Sequence, residues 1–421
     1  MTRAAAASPP SLVAVFHPGT QHSWQTARAL QTLGRLAFYA TSIAYDPQRF
    51  PYRLERLPLV GRRLHREFAR FTVPGIDPDR IETHGLHEWG ERILARTGLK
   101  ALAQRVDAMG NRSFARRVAR HAAARGAGAV WGYDNSSLEA FRALEGQGIA
   151  RILDVTIAPR RALNRVMAEV HEAWPDFFHA GQHAVPEYIL ERAEEELQRA
   201  DRIVVGSPFV RDTILSESKG GIDSGVIDIL PYCFDEALFA DLPRPARRPP
   251  GEPVRLLFVG TIGPRKGANL LLEAIARIPA SEASLTLVGS LDIPRQTFAR
   301  YAERVAHVPH VPRSAIPGIM AQHDVLVLPS YFEGSAITLL EALASGLALI
   351  QSHNAGLGVT PDTGIMLEHL DVDAVEAAIR SAIGHRGQLL AWREAALIRA
   401  LDFTFARYGE GLAGVLARLG H

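Results

Sequence analysis

Residues 242–253 read Leu-Pro-Arg-Pro-Ala-Arg-Arg-Pro-Pro-Gly-Glu-Pro, five prolines in twelve positions. Proline has a fixed φ and no backbone N–H, so this stretch can neither propagate a helix nor join a central strand, and it predicts a linker. The same pattern recurs on both sides of it: a short apolar strand, a glycine-containing turn, then an amphipathic helix. That alternation predicts α/β units with mostly parallel sheets. Before the linker the strand candidates are Ser11–Phe16, Gly128–Trp131, Ile152–Val155, Ile203–Val205 and Val226–Leu230; after it they are Val254–Val259, Ser284–Val288, His307–Val308, Val325–Leu328 and Leu347–Ile350. Helices are expected through Trp24, Ala27, Leu30 and Leu33, over Leu270–Arg277 and Thr338–Ala344, and over the tail Phe405–Leu419. Ser207-Pro208 reads as a helix start, a hydroxyl cap followed by proline at the first helical position. The expected organisation is a Rossmann-like domain over 1–241, the linker 242–253, a second Rossmann-like domain over 254–400, and a C-terminal helix over 401–421 crossing back to the first domain. Ligands of such sheets bind at the carboxyl ends of the strands, so the active site is expected in a cleft between the halves.

Composition narrows the function. With 421 residues and 47% hydrophobic content there is material for more than one core. Cys233 is the sole cysteine, which excludes an intrachain disulfide scaffold and a four-cysteine zinc site. The apolar run Leu12–Phe16 is too short for a signal-peptide core or a bilayer span, and the expectation is a cytoplasmic protein. The net charge of +2 conceals an asymmetry: residues 1–130 hold 20 Lys+Arg against 9 Asp+Glu, or +11, leaving −9 for residues 131–421. Only Lys100, Lys219 and Lys266 are lysines, so arginine is the default cation of this chain.

The strongest motif is Ser330-Tyr331-Phe332-Glu333-Gly334-Ser335-Ala336-Ile337 running on through Glu341 to Gly346, directly behind the apolar strand Val325–Leu328. A glycine and small residues at a helix start let backbone N–H groups approach an anion, where the helix dipole also favours negative charge. Glu333 stands before the expected helix and Glu341 about two turns inside it, on the order of 12 Å apart at ~1.5 Å rise per residue. That span suits a sugar nucleotide, with the diphosphate at the helix start and the carboxylates accepting hydroxyl groups at either end. Taken alone, the two glutamates read first as a turn acid and a solvated helix residue, and it is their context that changes this. A second run, Val259-Gly260-Thr261-Ile262-Gly263-Pro264-Arg265-Lys266-Gly267, places glycines and two cations at another helix start. Lys266 mildly suggests that a compact ammonium is wanted there.

Together, FVGTIGPRKGANLLLEAIA, SLTLVG, HDVLVLPSYFEGSAITLLEALASG and the later NAG resemble the donor domain of retaining glycosyltransferases of family 4, which have the GT-B fold: two Rossmann-like domains facing each other across a cleft. ADRIVVGSPFVRDTIL and ILPYCFD look like the end of that family's first domain and its hinge. The resemblance covers residues 195–420 well and residues 1–194 in outline. It implies a metal-independent enzyme that moves a sugar from a nucleotide-diphosphate sugar to an acceptor hydroxyl, with no cofactor. Glu333 is then the carboxylate toward the donor sugar, Glu341 the one toward the ribose, and Lys266 the diphosphate lysine. Arg265, Thr261, Gly263, Gly334, Ser335, Ala336 and Ile337 complete the donor-binding set. Three positions depart from the family. Thr261 stands where an arginine is common, Ser335-Ala336 replace an aromatic-glycine pair, and the first domain's strand-end histidine has no counterpart, leaving Asp154 and Thr156 as candidates for the reacting face. Gly19 and Thr20, in the turn after the first strand, are the remaining candidates in the first domain.

Other features are weaker. His17 and His22 read as loop hydrogen-bonders, and Asp134 and Asn135 as capping residues. His179 and His183 have i, i+4 spacing but no third ligand, and Asp371 and Asp373 start a helix, so neither pair reads as a metal site. Phe50–Phe71 interleaves six arginines with Leu, Val and Phe, and Arg105–Arg125 adds six more. Such a segment suits an anionic membrane surface on the cytoplasmic side, an acidic acceptor, or a soluble lobe whose arginine stems cover apolar surface. No nucleic-acid motif accompanies it. A sugar-nucleotide epimerase or hydrolase on the same fold, and a non-catalytic sugar-nucleotide-binding relative, are the alternatives.

Overall fold

The computed structural model describes residues 12–19, 22–58, 61–83, 100–181, 184–249 and 251–420. Its described strands form two sheets. The first takes β1 (Val13–Phe16), β2 (Leu36–Thr41), β3 (Ile81–Thr83), β4 (Ala129–Tyr133), β5 (Ala150–Val155), β6 (Arg202–Val205) and β7 (Ile227–Ile229) in the order β3-β2-β1-β4-β5-β6-β7. The second takes β8 (Val254–Val259), β9 (Ala283–Val288), β10 (Val305–Val308), β11 (Val325–Leu328), β12 (Ala348–Ser352) and β13 (Gly364–Leu367) in the order β10-β9-β8-β11-β12-β13. Neighbours such as β1 with β2 and β4, and β8 with β9 and β11, run parallel. Parallel strands are covered on both faces, so they are written as continuous apolar runs. Thus Val325, Leu326, Val327 and Leu328 of β11 are all fully buried, as are Leu256, Leu257 and Phe258 of β8. At roughly 1.5–3 kcal/mol for each large aliphatic or aromatic side chain, these central strands dominate the stability of the core.

The expected strands and helices are present, with additions. β2, β3 and β13 complete the sheets, and the long helices Lys100–Ala124, Val372–Gly384 and Arg386–Ala400 flank them. Ser207 caps its helix, its hydroxyl accepting from Val210 N–H. Asp371 caps another, its carboxylate accepting from Ala374 N–H at 2.7 Å. The chain divides into two compact units. One comprises Met1–Asp154, Glu191–Val204 and Gly411–His421; the other comprises Val155–Leu190 and Val205–Glu410.

In the first unit the helix Leu138–Leu144 begins directly after β4, and the carboxylate at its start comes from far along the chain. Glu196 Oε1 accepts from Ser137 N–H at 2.6 Å and Leu138 N–H at 2.8 Å, and Oε2 accepts from Asn135 N–H at 2.6 Å. Asn135 takes φ 68°, which turns these N–H groups toward one point. Burial pushes the Glu196 carboxyl up to about 8, with the nearby Asp134 adding to the rise while the backbone donors oppose it. In the second unit the linker is fastened by Asp324, which is fully buried at the amino end of β11. Its carboxylate meets Arg248 Nε at 2.9 Å and Arg393 Nη1 at 2.8 Å, and accepts from Arg255 N–H at 3.0 Å. Arg393 also donates to the carbonyls of Gly346 and Ala246, each at 3.0 Å, so a single buried network joins linker, β8, β11 and the helix Arg386–Ala400.

Two outcomes follow. Asp324→Ala leaves Arg393 buried without its carboxylate and lowers the unfolding free energy by about 3–5 kcal/mol, measured by urea titration. The Glu196 carboxyl stands above its ordinary value in the folded chain, so its stabilising contribution is complete below about pH 4.5 and is lost as pH rises through about 8. Thermal midpoints between pH 6 and 9 are expected to fall more steeply for the native chain than for Glu196→Gln.

Candidate functional site

In each sheet the strand order reverses about its centre, between β1 and β4 and between β8 and β11. Loops leaving the carboxyl ends at such a reversal diverge to opposite faces and open a crevice. In the second unit those loops are 260–267 and 329–336, the two runs singled out in the sequence.

The loop after β8 turns through Pro264–Lys266, a single 3-10 turn, and Gly267 then enters the helix Ala268–Ala276. Gly267 has φ 71°, and a Cβ there would overlap the carbonyl oxygen of Pro329, so the turn closes only with glycine. The stem of Lys266 lies across Gly260, and its Nζ pairs with Glu333 Oε1. Arg265 Nη1 stands 3.0 Å from the same oxygen and also donates to the Phe332 carbonyl at 2.8 Å. The Arg265 carbonyl in turn accepts from Tyr331 N–H at 3.0 Å. Glu333 is buried, and its charge is met by two cations from the neighbouring loop.

Around Glu333 the backbone packs closely. A Cβ on Gly334 would overlap the Thr156 carbonyl, and the Gly334 carbonyl accepts from the Ser207 hydroxyl. Gly206 packs against Ser335 Cβ. Asn354 Nδ2 donates to the Tyr331 carbonyl at 2.8 Å, and the Ser352 hydroxyl to the Ser330 carbonyl at 2.7 Å. Ala336 N–H is taken by the Ala355 carbonyl at 3.0 Å. That bond holds Ala336 extended, so the helix spans Ile337–Ala344 and Glu341 lies one turn inside it, where the sequence predicts two. Ser335 and Ala336 therefore belong to the loop, and Ile337 is the first helical residue.

Glu341 is buried at 8% exposure, and burial raises its carboxyl above the ordinary value. Arg313 opposes this, its Nη2 standing 3.4 Å from Oε1. Sequence reasoning missed Arg313 because it lies in a short turn between β10 and β11 with no motif around it. Thr261 is exposed, and Gly263 starts the 3-10 turn against Asp292. The structure thus brings Arg265, Lys266, Glu333 and the loop 334–336 together, and joins Thr156 to them through its carbonyl. Asn269, at the start of the following helix, donates to the Tyr331 hydroxyl at 3.2 Å while its own carbonyl oxygen is buried without a hydrogen-bond partner.

Gly19 and Asp154 belong to the first unit. Gly19 N–H donates to His17 Nδ1 at 3.0 Å, and the His17 ring stands edge-on to Tyr133 with centroids 5.5 Å apart. Asp154 is buried and accepts from the Trp131 indole at 3.2 Å. Thr20 and His183 lie outside the described residues. Among the described residues no group of three or more His, Cys, Asp and Glu is arranged to hold a metal, and no helix is long and apolar enough to cross a membrane.

Comparison with known proteins bears on the fold. Residues 253–385 match the family model "Glycosyl transferases group 1". A glycogen synthase of Mycobacterium tuberculosis is 25% identical over 246 residues, 56% of each chain, so this chain spans about half the length of that curated relative. Among solved structures, sucrose-phosphate synthase from Thermosynechococcus elongatus superposes with TM-score 0.63 at 18% identity, covering 97% of this chain and 99% of the other. Anabaena HepE, solved with UDP and glucose, gives TM-score 0.60 at 14% identity, covering 97% and 100%. These likenesses establish the fold expected from the sequence, that of the GT-B glycosyltransferases.

Arg313→Ala removes the cation that opposes the rise at Glu341, so the carboxyl of the variant takes up its proton at a higher pH. The Glu341 carboxyl, followed by carbon-13 NMR of the side-chain carboxylates, is expected to titrate at a higher pH in Arg313→Ala than in the native chain.

Proposed function

We propose that the chain is a retaining, metal-independent glycosyltransferase of family 4, moving a sugar from a nucleoside-diphosphate sugar to an acceptor hydroxyl. The observation that carries the reading is the cluster of Lys266, Arg265 and Glu333 at the carboxyl ends of β8 and β11, inside the segment that matches the glycosyltransferase model. Glu333 accepts hydroxyls of the donor sugar, and Glu341 accepts the ribose diol, since an ionised carboxylate takes several hydrogen bonds. As the bond from the anomeric carbon to the diphosphate oxygen lengthens, negative charge grows on the leaving phosphate. Lys266, Arg265 and the start of the helix Ile337–Ala344 lie where they stabilise that charge without reorganising. The acceptor oxygen bonds to the anomeric carbon on the face the diphosphate leaves, and its proton passes to the leaving phosphate oxygen, so no separate protein base is needed.

In this mechanism Lys266 passes from Glu333 to the diphosphate when the donor binds. The Lys266–Glu333 pairing holds the two loops together, so less of the donor's binding energy goes into arranging the site. Lys266→Ala and Glu333→Gln are each expected to lower transfer from a nucleoside-diphosphate sugar by at least a hundredfold, with circular dichroism unchanged. Full turnover by Lys266→Ala removes the lysine from this role. Thermal-shift measurements with UDP, GDP and dTDP sugars identify the base, and absence of a shift with all of them overturns the reading.

A further inference from the structure

The charges at the amino end of β11 do not balance. Asp324 is fully buried there, and its carboxylate is saturated. Oδ1 accepts from Arg248 Nε at 3.1 Å and Arg393 Nη1 at 2.8 Å, and Oδ2 accepts from Arg248 Nε at 2.9 Å and Arg255 N–H at 3.0 Å. Four guanidinium groups, those of Arg247, Arg248, Arg386 and Arg393, line one small cavity together with this carboxylate. The lining therefore carries an excess of three positive charges. Glu252, the acid of the linker, is taken by Arg255 at 3.3 Å, outside the lining.

Donors are in excess as well as charge, since each guanidinium carries five N–H groups. Arg393 directs Nε to the Gly346 carbonyl, Nη1 to the Ala246 carbonyl and Asp324, and Nη2 to the His323 carbonyl. Arg248 Nη2 donates to the Gln322 carbonyl at 2.7 Å, and Arg386 Nε and Nη2 donate to the carbonyls of Ile383 and Glu252, each at 3.1 Å. Nη1 of Arg248, Nη1 of Arg386 and the whole fork of Arg247 meet no acceptor among the described residues. Burial pushes the Arg393 guanidinium below its ordinary value; Asp324 opposes this and Arg248 adds to it. Cations gathered in such a place are stabilised by a further negative charge that the fold itself does not supply.

Size selects the ligand. The cavity measures about 20 Å³, which is room for one water-sized particle and not for the four oxygens of a phosphate or sulfate. Leu389 and Leu390 form part of its wall, so the occupant sits partly against hydrocarbon, which disfavours a strongly hydrated ion. We propose that this cavity binds a monatomic halide, chloride or bromide, between the linker arginines Arg247 and Arg248 and the helix arginines Arg386 and Arg393. The ion fastens linker residues 246–248 to the helix Arg386–Ala400. This goes beyond glycosyl transfer and does not rest on it: the cavity lies at the amino end of β11, and the Lys266–Glu333 cluster at the carboxyl end.

Thermal unfolding of the full chain in sodium chloride, sodium bromide and sodium gluconate at one ionic strength tests it. At a halide concentration ten times the dissociation constant, the midpoint is expected to stand about 2–4 °C above that in gluconate, because a ligand of the folded chain stabilises it by mass action. Arg247→Ala removes only donors that have no acceptor, so the fold is kept and the halide effect is expected to vanish. Arg244→Ala, a linker arginine outside the lining, is expected to retain it. Trypsin reads the same contact: Arg244 and Arg248 precede prolines, so within the linker it cuts only after Arg247. That cut is expected to slow about tenfold in chloride relative to gluconate. Crystals soaked in sodium bromide are expected to show an anomalous peak among the four guanidinium groups. Equal midpoints in halide and gluconate overturn the proposal, as does a halide effect that Arg247→Ala leaves intact. Bromide peaks that leave the four guanidinium groups bare overturn it too.

Discussion

The second unit is organised around one buried carboxylate. Glu333 draws Arg265 and Lys266 of the loop after β8 against the loop after β11. The two strands are neighbours, but their loops leave a strand-order reversal and would otherwise diverge. The ion cluster closes them, and the Gly267 and Gly334 contacts with the Pro329 and Thr156 carbonyls permit the approach. Removing a charge from such a cluster leaves the others desolvated and uncompensated, which costs more than an exposed pair would return. The cluster is therefore both a structural clasp and a store of positive charge beside a carboxylate, the two properties on which the proposed binding of an anionic sugar nucleotide rests.

The same strand carries its counterpart at the other end. Asp324, before β11, is held by two arginines and a backbone N–H, and Arg393 spends its remaining donors on carbonyls of the linker and of the helix end. The Asp324 carboxylate is fully answered within the fold. At the carboxyl end the balance is looser: among the described residues Glu341 has one half-exposed arginine, at 3.4 Å. A rigid amino end and an incompletely satisfied carboxyl end are what a parallel sheet needs if substrates are to enter on one side only.

Much of this was legible in the sequence because buried parallel strands are written as unbroken apolar runs, as in VRLLFV and VLVL. The strands that escaped notice lack that signature. Ile81–Thr83 is three residues long, Gly364–Leu367 opens on a glycine, and Leu36–Thr41 follows a helix after three residues. The residues that the structure clusters were legible where the pattern is local, as in GPRKG and FEGS. They were not where the partner is distant: Glu196 serves a helix start some sixty residues earlier, where Asp134 and Asn135 were the expected caps, and Arg313 reaches Glu341 across twenty-eight positions. Thr156 is a reacting-face candidate in the sequence, and the structure places its carbonyl against Gly334, a contact that no side-chain pattern records.

The adjacent cations Arg265 and Lys266 show why a chain that otherwise writes arginine keeps a lysine here. Arg265 divides its donors between the Glu333 carboxylate and the Phe332 carbonyl, so its fork fixes the loop and is costly to move. Lys266 has the carboxylate as its only partner among the described residues, on a flexible stem lying over Gly260, where no side chain obstructs it. An ammonium can rotate from one oxygen to another without losing a paired geometry, and a guanidinium cannot. The proposed transfer, in which a positive charge is lent to a phosphate, is served by one cation that stays and one that moves. An arginine at 266 would bring a second rigid fork to Glu333 and, in the proposed transfer, leave neither cation free to follow the charge that develops on the leaving group.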